Sequence, residues 1–132
     1  QLRPRPPLAL GPAAARAGIA ALMDVSDGIG RDAHRMARAT GTADVPLTPW
    51  VDETWLARAS APLARVAALA GREPEELVLA GGEDYGLLGI VPDGSAVPAG
   101  FVRIGRLAPA GSAPDDHRRL PERGWGHFGA RG

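Results

Sequence analysis

An apolar run of strand length, Ile19–Val25, ends in carboxylates, turns through glycine and passes straight into a helical pattern, all within "IAALMDVSDGIGRDAHRMARAT". The run predicts a strand with Asp24 near its carboxyl end. From Ile29 to Thr40 the period changes. Ile29, Ala33, Met36, Ala37 and Thr40 share one face and Arg31, Arg35 and Arg38 another, which predicts an amphipathic helix stopped by Gly41. A strand that feeds a helix through a glycine turn confines the chain to layered folds of helices on a sheet.

The turn itself poses a problem. Asp24, Asp27 and Asp32 crowd together, with Ser26, Gly28 and Gly30 between them. Like charges this close repel, and a buried carboxylate is costly unless paired, hydrogen-bonded or bound to a metal. Either Ser26 or Asp27 caps the helix and the other acids are solvated, or something positive sits among them. A strand end entering a helix through glycine offers backbone N–H groups to phosphate, and adjacent acids can hold Mg²⁺ that bridges phosphate oxygens. The spacing does not fit an EF-hand loop, whose oxygen ligands alternate over a longer turn.

The remaining 132-residue chain reads as short elements, as its 18 Gly and 13 Pro require. Residues 1–11 form a Pro/Arg-rich lead-in and residues 12–132 a single domain. Short helices are expected at Ala9–Ala17, Val51–Ser60, Pro62–Ala70 and Glu73–Gly81. Leu63, Val66, Ala67 and Ala70 should form the buried stripe of the third of these. Further strands are expected at Ala43–Leu47, where Pro46 suggests an edge, at Tyr85–Val91 and at Phe101–Ala108. Beyond Pro109 the chain reads as polar and irregular, with His117 in a loop, and His34 reads as a surface residue. "GGED" before the Tyr85 strand and the closing "GWGHF" are ambiguous alone: a solvated turn or a ligand contact, an aromatic staple or a surface for a planar ligand.

Several function classes find no support. Fifteen basic residues, all Arg, cancel fifteen acidic ones, so net charge points to no nucleic-acid partner. The absence of Cys excludes disulfides and thiolate chemistry. No apolar stretch reaches the ~20 residues of a membrane span, and no signal peptide is visible, so a cytoplasmic protein is the expectation. The start at Gln1 and the lead-in "QLRPRPPLAL" read as an interdomain linker of a longer polypeptide.

Taken in order, "MDVSDG" with "RD" downstream, "LAGGEDYGLL..VP", "IGRL" and the closing "GW.HF" resemble the C-terminal half of the thiamine-monophosphate kinase family, within the aminoimidazole ribonucleotide synthetase superfamily. The resemblance implies an α+β, layered α/β/α domain with a mixed central sheet, like the C-terminal domain of aminoimidazole ribonucleotide synthetase. It implies direct transfer of the γ-phosphoryl group of ATP to thiamine monophosphate, assisted by Mg²⁺ and without a phosphoenzyme. Asp24 and Asp27 would hold Mg²⁺, Ser26 and Gly28 would meet the nucleotide phosphates, and Glu83 and Trp125 would contact the substrate. Gly81 and Gly82 would give backbone clearance, and Asp84 belongs to the motif without an assigned role. No catalytic residue is implied beyond metal and substrate positioning. The family also implies an N-terminal ATP- and metal-binding domain, absent from this chain, a homodimer, and little activity for this half alone. The chain departs from the family at Gly86, commonly Glu, and Gly89, commonly bulky, which bears on strand packing rather than on the metal site. Other ATP-using members of the superfamily (aminoimidazole ribonucleotide synthetase, selenophosphate synthetase, hydrogenase-maturation proteins) and a non-catalytic nucleotide- or metal-binding module remain open alternatives.

Overall fold

A computed structural model describes residues 5–82 and 85–124. Its elements are α1 (Leu10–Arg16), β1 (Ala21–Asp24), α2 (Ile29–Thr40), β2 (Leu47–Asp52), α3 (Glu53–Ser60), a 3-10 turn (Ala61–Leu63), α4 (Ala64–Ala70), α5 (Pro74–Ala80), β3 (Leu87–Ile90), β4 (Gly105–Pro109) and β5 (His117–Arg119). No helix among the described residues is long and apolar enough to cross a membrane.

The α+β class is as expected, but the sheet differs from expectation. Among the described residues the strands form two antiparallel sheets, β1–β3 and β4–β2–β5, in place of one mixed sheet. The reason lies in α2. A strand–helix–strand unit gives parallel neighbours only when it returns to its own sheet, and here α2 carries the chain from β1 into the other sheet. The core sits between the sheets and helices: Ala33, Val51, Leu56, Leu79 and Leu120 are buried, with Ile29, Trp55, Val78 and Leu88 packed against them.

Helix α2 has the predicted bounds and buries Ala33, Met36 and Ala37. Helix α3 starts at Glu53 because the Asp52 side chain accepts the Trp55 N–H at 2.7 Å, a side-chain N-cap that the strand itself delivers. Helix α4 corrects the expected stripe: Ala67 is buried, whereas Val66 stays 57% exposed. Gly89 in β3 is filled by its own chain, since a Cβ there would stand 3.2 Å from Ile19 and Leu22 side-chain carbons.

Strand β2 begins at Leu47, where the expected strand ends, and it is central rather than an edge. Pro49 lies inside it, at a place where proline should remove a ladder bond. The register continues the β5 pairing so that Leu120 faces Pro49, and the Leu120 N–H donates to the Pro49 carbonyl at 2.9 Å. The return bond cannot form, because Pro49 has no N–H. His34 takes its place: Nε2 lies 2.8 Å from the Leu120 carbonyl. A carbonyl only accepts, so Nε2 carries the proton. His34 is therefore buried, at 9% exposure, and not the surface residue expected. His117, read as a loop residue, begins strand β5, and only three residues of polar sequence announce that strand.

The segment after β5 is clamped on α2. Glu122 pairs with Arg38 at 2.7 Å and faces His34 Nδ1 at 3.9 Å. At Gly30 an added Cβ would meet the Arg123 and Pro121 carbonyl oxygens at 2.6 and 2.7 Å. Gly30→Ala should thus destabilise the protein by about 1–3 kcal/mol in urea unfolding, through overpacking, although alanine in a helix is ordinarily favoured by about 1 kcal/mol. A gain in stability would contradict this packing. The Arg38 hydrogen bond, the largest influence, lowers the Glu122 pKa below its ordinary 4.5. A depressed folded value means that the Glu122 contribution is present above 4.5 and is lost as pH falls through the folded value. The Tm difference between wild type and Glu122→Gln should therefore be small but present at neutral pH, and should close well below pH 4.5.

Candidate functional site at the strand–helix turn

The carboxylates of the turn differ in burial and in partners. Asp24 ends β1 opposite Leu87, exposed, on the rim of an otherwise apolar cleft of about 360 Å³ that Pro6, Pro7, Leu8 and Tyr85 help to line. Asp32, one turn into α2, is fully buried. Its Oδ2 accepts the backbone N–H groups of Ser26 and Asp27, each at 3.0 Å, and its Oδ1 accepts from Arg35 Nη1 at 2.8 Å. Asp27 is half-buried, and its Oδ2 lies 2.6 Å from Arg35 Nη2 and 3.8 Å from Arg31 Nη1.

Something positive does sit among the acids: the guanidinium of Arg35, which bridges Asp27 and Asp32. Neither Ser26 nor Asp27 caps α2. The N-cap is Gly28, without a side-chain bond, and the amides just before it turn to Asp32. Gly28 adopts φ 102°, and a Cβ there would press on the Ala80 carbonyl carbon at 3.0 Å, so both conformation and space demand glycine.

Around this turn the distant motifs converge. Ala80, just before the "GGED" glycines, packs on Gly28. Val25 donates to the Gly86 carbonyl at 2.8 Å and accepts from the Tyr85 N–H at 3.1 Å, so two residues face one across the end of the β1–β3 ladder. This is a β-bulge whose left-handed position is normally glycine. Here Tyr85 occupies it, at φ 51°. A bulky residue in that conformation stores strain of roughly 1–3 kcal/mol, of the kind concentrated at functional sites. From the other side Gly124 packs against the Asp27 carbonyl and Arg31. A second cleft, of about 440 Å³, opens there among Arg31, Arg72, Arg123, Glu76 and Glu122.

Of the expected site residues, the structure thus brings Ser26, Asp27 and Gly28 together in one turn and places Asp24 three residues away on the strand end. Glu83, Asp84, Trp125, His127 and Phe128 lie outside the described residues. Among the described residues no group of three or more His, Asp or Glu side chains is placed to hold a metal ion. Sequence reasoning missed Arg35 as the partner of Asp27 and Asp32. The signal was the three-residue spacing of Asp32 and Arg35, which puts both on one helix face.

Replacing Asp32 with Asn leaves one amide group facing N–H donors it cannot accept from, in a fully buried position. Asp32→Asn should lower unfolding stability by roughly 2–4 kcal/mol at neutral pH. A loss within the error of a chemical-denaturation curve would contradict the arrangement.

No family model matches the chain, and no solved structure matches it. Among curated proteins it is 36% identical over 130 residues to the thiamine-monophosphate kinases of Mycobacterium tuberculosis strains CDC 1551 and H37Rv, an alignment covering 97% of this chain and 37% of theirs. The thiamine-monophosphate kinase of Methanopyrus kandleri is 36% identical over 106 residues, 80% of this chain and 32% of that protein. The chain spans about a third of the length of the curated relatives it matches. Along nearly its whole length, then, the chain is similar to a C-terminal stretch of thiamine-monophosphate kinase.

Proposed function

We propose that this chain is the C-terminal part of a kinase that phosphorylates thiamine monophosphate with ATP. The observation that carries the reading is the convergence, on the Val25–Gly28 turn, of the residues flanking "GGED" and of Gly124, beside 36% identity along 97% of the chain. In the proposed reaction a phosphate oxygen of thiamine monophosphate attacks the γ-phosphorus of ATP. The bond from that phosphorus to the bridging oxygen breaks, giving thiamine diphosphate and ADP. Such transfer needs positioning and charge neutralisation more than a protein nucleophile.

The donor set suits Mg²⁺ in the manner of kinase sites, where one or two carboxylates hold the ion together with substrate phosphates. Asp24 is exposed, and Asp27 meets arginine through Oδ2. Mg²⁺ bound there would neutralise phosphate oxygens of ATP. The Ser26 N–H is committed to Asp32, so the Ser26 hydroxyl is the group left to meet a phosphate. Gly28 lets the chain pass close to Ala80, and its place among the nucleotide contacts is proposed on the family resemblance. Glu83 and Trp125 are proposed as the substrate contacts, on the family resemblance. The longer polypeptide, with a preceding nucleotide- and metal-binding domain and a homodimeric assembly, is part of the same proposal, as is weak or absent activity of this chain alone.

Thiamine diphosphate formation from thiamine monophosphate and Mg·ATP tests this, with the present chain and with a polypeptide of the relatives' full length. Product should come only from the longer protein, and Asp24→Asn in it should lower kcat on the order of 10²-fold or more. Absence of product from both, with both folded, would overturn the kinase reading.

A further inference from the structure

Asp27, the proposed metal ligand, is already engaged by a cation of the chain itself. Its Oδ2 holds Arg35 at 2.6 Å, and the other terminal nitrogen of that guanidinium reaches Asp32 Oδ1 at 2.8 Å. One planar fork therefore ties together the two carboxylates of the turn. The two carboxylates are unequal. Asp32 is fully buried and keeps two backbone N–H donors whether or not Arg35 stays. Among the described residues the Asp27 carboxylate is paired with arginine, and the Arg35 side chain is 45% exposed, so its head can leave Asp27 into solvent without opening the core. Among the described residues the charged groups facing Asp27 are thus Arg35 and Arg31.

We propose that Arg35 is a built-in counter-ion of Asp27 that competes with a divalent cation for it, so that metal reaches this carboxylate only as the guanidinium swings away. The competition makes Arg35 a positioning residue: it holds Asp27 compensated while no metal–nucleotide is bound, and it yields when one arrives. Phosphates brought by the nucleotide would offer the released guanidinium a new anionic partner, so exchange conserves charge pairing. The inference rests on the metal-binding reading of Asp27, and the experiment separates the two.

Mn²⁺, as a spectroscopic substitute for Mg²⁺, is titrated into the 132-residue chain and the free ion followed by electron paramagnetic resonance. Wild type is compared with Arg35→Gln, Arg35→Lys and Asp27→Asn, each checked for fold by circular dichroism. Removal of the competing charge should tighten Mn²⁺ binding roughly two- to fivefold in Arg35→Gln, the equivalent of one partly exposed ion pair. Arg35→Lys, whose single ammonium cannot bridge both carboxylates, should fall between Arg35→Gln and wild type, and it decides the matter if Arg35→Gln does not fold. Asp27→Asn should weaken binding. Unchanged or weaker binding in both Arg35 variants overturns the competition; the metal reading of Asp27 stands if Asp27→Asn still loses affinity. Equal affinity in Asp27→Asn and wild type, or no Mn²⁺ binding by any variant, overturns the proposal together with the role of Asp27 in binding metal.

Discussion

A fully buried carboxylate surrounded by donors is expensive to create and, once satisfied, difficult to displace. Asp32 is that group. Its two oxygens collect the Ser26 and Asp27 N–H groups and the Arg35 guanidinium, which fixes how the chain leaves β1 and enters α2. The helix therefore starts without a capping side chain, from a glycine in a conformation that other residues avoid. Everything else near the candidate site is referred to this turn. Residues 79–80 rest on Gly28, Tyr85 and Gly86 bond to Val25, and Gly124 rests on Asp27. A chain with other residues at positions 28 or 32 could keep its helices and lose the site.

A second constraint ties the two sheets to that turn. Pro49 withdraws one N–H from the central strand, and the Leu120 carbonyl left without its partner is satisfied by His34 from α2. A local defect in the ladder thereby becomes a bond between layers. It explains why a histidine stands on the inner side of a helix and why the segment after β5 lies along α2. Charge compensation follows the same economy. Arg35 serves Asp32 and Asp27, while Arg38 serves Glu122, all from one helix.

What the sequence disclosed and what it hid divide along physical lines. Helix α2 was legible to the residue, because an apolar stripe, an arginine face and a terminal glycine agree. The helices at residues 53–60 and 74–80 were nearly so, since Asp52 and Pro74 mark their starts. Strand β5 was not, because three polar residues carry no periodicity. The division into two sheets was hidden too: strand pairing depends on where α2 delivers the chain, which no local pattern encodes. At the site, the crowding of acids was legible as a demand for positive charge. The arginine that meets this demand was not legible, because spacing on a helix reveals Asp32 and Arg35 as neighbours but gives no hint that Asp27, in the turn, folds back onto the same guanidinium.

The account stands or falls on the buried carboxylate that gathers the turn. Amide hydrogen exchange at Ser26 and Asp27, residue by residue in the folded chain, reads this directly. Both amides should be strongly protected, although they lie in a turn and outside the helices and strand ladders of the described residues, because both donate to the buried Asp32 carboxylate. Exchange of both at the rate of an unstructured peptide, in a protein whose α2 amides are protected, would contradict it.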